Sequence, residues 1–478
     1  MRALPWTLWA LLLGAGLGLA APDEWVTLTN ASGTAIQVKL EGKNGERYVL
    51  RRKTDNKVFE VPADKLKPAE RTMLDAAAKA GEAEMGKLNT AAGHSLFATA
   101  TFSARPGDEI ASALKLRPES STKFSKSWRH YAGGDYRLFG ARPYSIALYA
   151  DGEGRPTSLS VVFANKGDFG SSAGMAQDHF KGGTTSTAST LAEAMKQDEA
   201  AIEKSLTGVL GKPQDQRFGE GNTRRTIKRW DWNGQSLLLS SEENEYVTLQ
   251  IVPVEFADAG GKTALTKGEI IRKSRQESVV KEANGDVYVG QIPMVDQGPK
   301  GYCVPATFER AMRTMGIDAD MYLLAMVGGT SAGGGTSVEM LLENVRSSVY
   351  RKGRRTKDDT VKELKIRDVK RYIDEGIPVM WTMCAVDEYG NTASANTDKR
   401  KSVIDWAAYT TEITAKAEEL AKSPKPESNH HICMIIGYND KTGELAVSDS
   451  WGPRFERRWV PVKVADWASQ GGLFMILP

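Results

Sequence analysis

Short runs of alternating apolar and polar residues occupy the first part of the chain. The apolar positions are Val26, Leu28, Ile36, Val38, Leu40, Tyr48, Leu50, Val58, Phe59 and Val61. Turn residues separate the runs at 42–45 and 55–56. A period of two, interrupted by Gly, Asn and Asp, is typical of antiparallel strands. It predicts a small N-terminal β-barrel over residues 24–75, and the Ala-, Glu- and Lys-rich stretch that follows predicts a helical linker over residues 76–94.

Helical and strand periods alternate over residues 95–256. The predicted helices are Asp108–Leu116 and the segment with Leu191, Met195, Ile202, Leu206 and Val209 at helical spacing. The predicted strands lie near Tyr136–Leu138, Tyr144–Tyr149, Leu159–Phe163, Ile227–Trp232, Ser236–Leu239 and Val247–Val252, with a hairpin turn at Asn233-Gly234. A helix followed by three strands, twice, predicts an α+β domain with an αβββ duplication. His130 and His179 have no partner at ligand spacing and are interpreted as surface or packing residues.

A charged stretch over residues 262–284 precedes a third domain, predicted over residues 275–478. Apolar residues repeat at helical spacing after Cys303, at Val304, Phe308, Ala311, Met312 and Met315. Near the end of the chain, the apolar runs Ile432–Tyr438 and Leu445–Ser448 enclose the turn Asn439–Gly443. These patterns predict a buried helix that begins at Cys303 and a β-hairpin.

Composition and charge limit the functional classes. A chain of 478 residues exceeds the roughly 250–300 at which single cores stop growing, so we expect a multidomain α+β protein. The net charge is +3, from 63 basic and 60 acidic residues. This balance favours neither nucleic acid nor an acidic partner.

The first 20 residues have the pattern of a signal peptide. Arg2 precedes an apolar run from Leu8 to Leu19, and the small residues Gly18 and Ala20 precede a polar segment. The run is shorter than the roughly 18–20 residues of a spanning helix, so an uncleaved anchor is the weaker interpretation. The expected location is outside the cell or in the periplasm.

The chain has only three cysteines, Cys303, Cys384 and Cys433, an odd number that does not suit a disulfide framework. Cys384 fits a buried apolar position after an apolar run. Cys303 fits a nucleophile better, since a cysteine at a helix N-terminus beside an imidazolium has its pKa lowered from about 8.5 to roughly 3.5–7.5.

The predicted hairpin begins at His431 and ends before Asp449. Pairing about the turn brings these two residues within a cross-strand or diagonal distance of about 5–8 Å. Asp449 could then orient the imidazole and raise its pKa. His430 points to the opposite face of the strand, so only one of the two histidines meets the thiol, and the spacing to Gly437-Tyr438 favours His431.

Two segments, Gln297–Ala306 and His431–Gly452, resemble a papain-like cysteine peptidase of the bacteriocin-processing-peptidase-like branch. The resemblance implies a papain-like α+β fold and hydrolysis of peptide bonds through a thiolate–imidazolium pair and an acyl-thioester intermediate. It also implies the roles of four residues. Cys303 attacks the carbonyl carbon, His431 transfers the proton, Asp449 orients His431, and Gln297 binds the oxyanion together with the Cys303 N–H.

The chain departs from the family pattern at three points. Asp449 stands where many papain-like enzymes have asparagine before Ser-Trp-Gly, a change that the bacteriocin-processing type tolerates. Val304 replaces the tryptophan that commonly follows the nucleophile, and the usual neighbouring disulfide cysteine is absent. Trp451 is expected to shield the His–Asp contact from water.

The N-terminal strands resemble a Src-homology-type barrel of an actin-adaptor homology family. The resemblance rests on Trp25, on the Val-x-Leu strands and on the exit Val61-Pro62-Ala63-Asp64-Lys65-Leu66. It implies a module that binds peptides or mediates contacts with a protein partner, and a structural spacer is the equal alternative. We expect residues 21–270 to control access or location.

Two segments of the third domain have open interpretations. The glycine-rich residues 330–336 lack the ending of a phosphate loop, and are either a wall of the substrate cleft or a flexible surface loop. The polar insertion 387–429 either covers the cleft or projects into solvent.

The function expected from these patterns is that of a secreted cysteine peptidase with a peptide or protein substrate. No metal is expected, because the histidines and cysteines lack zinc-ligand spacing. No cofactor is expected either, and the balanced charge does not indicate nucleic acid. The alternatives are a catalytically silent binding protein with a peptidase fold and a transglutaminase-like acyl transferase, although the latter does not explain Gln297.

Overall fold

The computed structural model describes residues 25–29, 34–133, 135–169, 188 and 190–478. The predicted signal peptide and His179 lie outside these residues. The chain divides into two compact units, one up to residue 86 together with 99–101, the other formed by 87–98 and 102–478. The domain limits drawn from the sequence stay predictions.

The N-terminal unit contains an antiparallel sheet in the order β1-β2-β3-β4. Its strands are β1 (Val26–Thr29), β2 (Ala35–Asn44), β3 (Arg47–Arg52) and β4 (Val58–Pro62), followed by helix α1 (Pro68–Ala92). The prediction of a closed barrel is wrong for the described residues. Closure requires the first and last strands to pair, but β1 has four residues and pairs only with β2. The apolar face is covered instead by Leu74 of α1, which packs with Val38, Tyr48 and Leu50.

The second unit begins with an eight-stranded antiparallel sheet, here called the central sheet. Its strands are β5 (Arg117–Ser121), β6 (Ser125–Tyr131), β7 (Ser145–Asp151), β8 (Pro156–Asn165), β9 (Gln214–Phe218), β10 (Arg225–Trp232), β11 (Gln235–Glu242) and β12 (Tyr246–Pro253). The helices are α2 (Gly107–Ala113), α3 (Lys166–Phe169), α4 (Leu191–Leu210) and α5 (Val254–Asp258). The order β5-β6-β7-β8-β12-β11-β10-β9 joins two four-stranded meanders through β8 and β12.

Each meander follows a helix, α2 or α4, but has four strands and not the predicted three. The outermost strands β5 and β9 have the polar sequences RPESS and QDQRF, which show no apolar alternation because they lie at sheet edges. The predicted strand near Tyr136–Leu138 is also wrong. That segment forms only an isolated bridge between Leu138 and Ala141.

The C-terminal part contains a second eight-stranded sheet. Its strands are β13 (Val279–Lys281), β14 (Asp286–Val289), β15 (Arg355–Thr360), β16 (Val379–Cys384), β17 (His430–Asn439), β18 (Glu444–Ser448), β19 (Arg458–Pro461) and β20 (Ser469–Leu477). The order is β13-β14-β17-β16-β20-β15, and β18 pairs with β17 and β19. The helices are α6 (Gly268–Gln276), α7 (Cys303–Thr314), α8 (Met321–Val327), α9 (Val338–Arg351), α10 (Ile366–Asp374), α11 (Asp387–Arg400), α12 (Trp406–Leu420) and α13 (Val462–Ala468).

Helix α7 begins at Cys303, as the apolar spacing predicts, and is almost wholly buried. Pro305 lies in its first turn, where no intrahelical N–H bond is lost. Thr307 donates a hydrogen bond to the Ile432 carbonyl of β17 at 3.2 Å. This contact brings the start of α7 beside the start of β17.

The polar insertion forms α11 and α12 and packs against the sheet. Tyr389 and Ala393 of α11 belong to the core, and Arg400 is ion-paired with Asp286 of β14 and Glu444 of β18. The insertion therefore does not project into solvent. Among the described residues, no helix combines the length and apolarity needed to cross a membrane.

Candidate active site

The hairpin of β17 and β18 brings His431 and Asp449 into contact. The strands pair with Met434 opposite Ser448, and a bulge lies between Ile435 and Gly437. Nε2 of His431 lies 3.0 Å from Oδ1 of Asp449, and both side chains are buried. This hydrogen bond leaves Nδ1 of His431 for another partner.

Cys303 lies at the N-terminus of α7, close enough to His431 for each group to shift the pKa of the other. Burial alone would raise the pKa of the Cys303 thiol, but the hydrogen bond and charge of His431 bring this pKa below its usual value. Burial alone would lower the pKa of His431, but its bonds to Asp449 and Cys303 raise it to about 9. Both shifts favour a thiolate beside an imidazolium.

Trp451 packs on the imidazole of His431. The two rings are stacked, with centroids 4.5 Å apart and an interplanar angle of 25°. Trp451 therefore covers one face of the ring. It lies next to the His431–Asp449 contact that it was expected to shield from water.

Arg458 binds the second oxygen of Asp449 and was not found by sequence reasoning. Its Nη2 donates to Oδ2 of Asp449 at 2.7 Å, and both side chains are buried. Burial alone would raise the pKa of Asp449, but His431 and Arg458 lower it. Arg458 also donates to Ser394 of α11 at 3.3 Å. The position of Arg458 follows from the pairing of β19 with β18, in which Arg458 lies opposite Val447. A strand partner of this kind is not visible in a short segment of sequence.

Gln297 is held by Ser450, the residue that follows Asp449. The backbone N–H of Gln297 donates to the Ser450 carbonyl at 2.8 Å, and Oε1 accepts from Ser450 Oγ at 3.0 Å. Nε2 donates to the Lys300 carbonyl at 3.0 Å. Since a carboxamide nitrogen carries two hydrogens, the second is left for a further acceptor.

The glycine-rich loop lies against the residues that precede Cys303. The backbone N–H of Gly335 donates a hydrogen bond to the Gly301 carbonyl oxygen, with an N–O distance of 3.1 Å. A Cβ at Gly334, whose φ is +107°, would lie 2.4 Å from the Gly301 Cα, so only glycine allows this approach. This position favours a wall of the cleft over a flexible surface loop.

Of the other described histidines and cysteines, Cys433 lies near this cluster. It is fully buried in the core, where burial raises its pKa and the charges of Asp449 and Cys303 raise it further. His430 is exposed and contacts Gln470 and, at 3.9 Å, Cys384 Sγ. His130 packs near the Tyr136 ring. Among the described residues, no three His, Cys, Asp or Glu side chains are arranged to hold a metal ion.

Comparison with known proteins shows that the part of the chain containing this site matches one protein family. Residues 289–472 match the model of the Peptidase_C39 like family. This part of the chain is similar to cysteine peptidases. The match includes Gln297, Cys303, His431 and Asp449, and supports a papain-like cysteine peptidase domain at the C-terminus with a peptide or protein substrate.

No curated protein matches the chain. The resemblance of the N-terminal strands to an actin-adaptor homology family stays a prediction, as does their binding of a protein partner.

Proposed function

We propose that the protein is a secreted cysteine peptidase whose catalytic residues are Cys303, His431, Asp449 and Gln297. The observation that carries the proposal is the buried His431–Asp449 hydrogen bond at 3.0 Å, together with the proximity of Cys303 that lowers the pKa of its thiol and raises that of His431. The Peptidase_C39 like match over the same residues supports the reaction class.

In the first step, the Cys303 thiolate attacks the peptide carbonyl carbon, and the π electrons of the carbonyl move onto its oxygen. The oxyanion accepts hydrogen bonds from the free Gln297 Nε2–H and the Cys303 N–H. When the tetrahedral intermediate collapses, the carbon–nitrogen bond breaks and the imidazolium of His431 gives its proton to the leaving amine.

In the second step, neutral His431 takes a proton from water, whose oxygen attacks the thioester carbon. Loss of the thiolate releases the carboxylic acid and restores the imidazolium beside Cys303. Asp449 keeps Nε2 of the ring protonated throughout, and Arg458 keeps Asp449 ionised. The ring then presents Nδ1 to the thiol in both steps.

Substitution of the nucleophile tests this proposal. We expect Cys303→Ala to abolish hydrolysis of a peptide library without lowering the melting temperature appreciably. Cys384→Ala is the matched control and should keep activity, because Cys384 lies in β16 opposite His430, on the other face of the sheet from His431. Peptide hydrolysis retained by Cys303→Ala would reject the assignment.

A thiol-reactive epoxide distinguishes the alternatives. It should label native Cys303, whereas labelling only after denaturation would indicate a silent binding protein. Ammonia release with incorporation of an amine into a glutamine peptide would indicate a transglutaminase.

The location rests on residues 1–20 as a signal peptide that is removed on export. The mass of the protein recovered from the periplasm or medium should lack these residues. Recovery of the full-length chain from the cytoplasm would contradict the proposed location.

A further inference from the structure

The loop of residues 293–302, here called the oxyanion loop because it carries Gln297, is held by the central sheet. The Met294 N–H donates to Ser120 Oγ at 3.0 Å. The Asp296 N–H donates to Glu119 Oε1 at 2.8 Å, and the Asp296 carbonyl accepts from the Tyr131 hydroxyl at 2.5 Å. Backbone groups of the peptidase domain are thus bound by side chains of β5 and β6.

A buried ion pair anchors the other end of the oxyanion loop. Lys300 Nζ lies 3.2 Å from Asp168 Oδ2 in α3, and both side chains are 0% exposed. Nζ also donates to the Tyr322 hydroxyl at 2.8 Å. The carbonyl of the same Lys300 accepts the hydrogen bond from Gln297 Nε2. Movement of Lys300 would therefore move the Gln297 amide.

Close contacts leave the oxyanion loop little freedom. A Cβ at Gly298, whose φ is +70°, would lie 2.6 Å from the Tyr131 ring. A Cβ at Gly167, beside Asp168, would lie 2.4 Å from the Tyr302 ring. Val295 and Tyr302 share a core cluster with Val162 and Tyr246 of the central sheet. The loop is thus part of a core that it shares with the central sheet.

We propose that Glu119, Tyr131 and Asp168 are positioning residues for Gln297, so that the central sheet completes the oxyanion side of the active site. This inference rests on the proposed peptidase function and deepens it. The central sheet acts on the transition state through hydrogen-bond geometry at Gln297, in addition to the control of access or location expected from the sequence. The Cys303–His431 pair itself is formed by residues of α7 and β17.

The test uses the full chain with Asp168→Asn, which removes one charge and keeps the side-chain shape. Turnover is measured per Cys303 labelled by the epoxide, so that unfolded molecules do not count. We expect kcat per labelled site to fall roughly 10- to 10²-fold, which is less than the roughly 10²- to 10³-fold cost of losing a donor completely. KM and the pH dependence of Cys303 alkylation should stay unchanged.

Two further variants keep the test decisive. Tyr131→Phe removes only the hydroxyl that binds the Asp296 carbonyl and serves if Asp168→Asn does not fold. Lys166→Met is the matched control, because Lys166 lies in the same short helix but its Nζ bonds Glu245 at 2.9 Å. Its kcat should match that of the wild type.

A double-mutant cycle separates positioning from a general structural effect. In a Gln297→Ala background, Asp168→Asn and Tyr131→Phe should cause no further loss of kcat, since the group that they position is already gone. Equal losses with and without Gln297 would overturn the inference. Wild-type kcat per labelled site in both variants would overturn it as well, while leaving the peptidase function intact. If the epoxide labels native wild-type Cys303 but the unlabelled wild-type protein hydrolyses no peptide, both proposals are refuted.

Discussion

The two sides of the candidate active site are built in different ways. His431 and Asp449 are 18 positions apart in one hairpin, and their contact follows from the pairing of β17 with β18. Gln297 lies in a loop whose anchors Glu119 and Tyr131 are 177 and 165 positions from Asp296. The histidine side is therefore local in the chain, whereas the oxyanion side depends on side chains of the central sheet.

This difference separates two chemical tasks. The histidine side sets the charges of Cys303 and His431, so changes there should alter the pH dependence of the thiol. In the proposed mechanism the oxyanion side supplies a neutral donor to the transition state, so changes there should lower kcat and leave that pH dependence unchanged. Substitutions on each side test whether the two sides can be altered independently.

The largest effect is expected for His431→Asn. Loss of the general acid and base typically costs roughly 10²- to 10⁴-fold in rate, and kcat on a peptide substrate measures it. The alkylation rate of Cys303 should then rise only near the ordinary thiol pKa of about 8.5. His430→Asn is the matched control and should keep both properties, because His430 lies on the opposite face of the strand. An unchanged alkylation profile in His431→Asn would show that His431 does not set the charge of the Cys303 thiol.

The wild-type protein should lose kcat/KM as the pH rises through about 9, where His431 loses its proton.

The same raised pKa of His431 predicts that the folded state becomes less stable as the pH rises. The stabilisation from charged His431 is fully present below its unfolded-state pKa of about 6.5 and is lost as the pH rises through about 9. Melting temperatures measured from pH 6 to 10 should show this loss in the wild type and not in His431→Asn.

Gln297→Ala should give the next largest effect, a loss in kcat on the order of 10²- to 10³-fold. The alkylation profile of Cys303 should match that of the wild type, since the thiolate–imidazolium pair does not include Gln297. The exposed Gln470 provides the control, and Gln470→Ala should keep kcat. A shifted alkylation profile in Gln297→Ala would show that the two sides are coupled.

Arg458→Met should mainly affect stability, because it leaves one oxygen of the buried Asp449 without its cation. Breaking a buried pair costs about 3–5 kcal/mol, which denaturant unfolding measures. The lowered pKa of Asp449 contributes stability above its unfolded value, and this contribution is lost as the pH falls through the folded value. The variant raises that pKa, so acid unfolding should move to higher pH. Arg457→Met, at the exposed neighbouring position, should leave the acid transition unchanged.

The smallest effect is expected for Trp451→Leu. Stacked aromatic pairs contribute about 0.5–1.5 kcal/mol beyond the area they bury. Since about 1.4 kcal/mol corresponds to tenfold, kcat should fall by roughly two- to tenfold. Trp451→Phe keeps a ring over His431 and should recover most of the loss. Equal losses in both variants would show that stacking does not contribute.

Local patterns predicted the histidine side well, because its strands and turn are continuous in the chain. The apolar runs at Ile432–Tyr438 and Leu445–Ser448 are β17 and β18, and the helical spacing after Cys303 is α7. Predictions that depended on strand partners were less successful. The N-terminal strands do not close into a barrel, and the polar edge strands β5 and β9 were missed.

The amino-acid sequence by itself determined where helices and strands form around Cys303 and His431, since a repeat of side-chain polarity is visible in every short segment. Only the tertiary structure decided which groups neutralise the buried charges. Arg458 reaches Asp449 from the neighbouring strand, and Lys300 meets Asp168 from 132 positions away. A contact between distant segments leaves no periodic pattern in either segment. Packing and the cost of burying an unpaired charge decide which residue pairs with a buried charged residue.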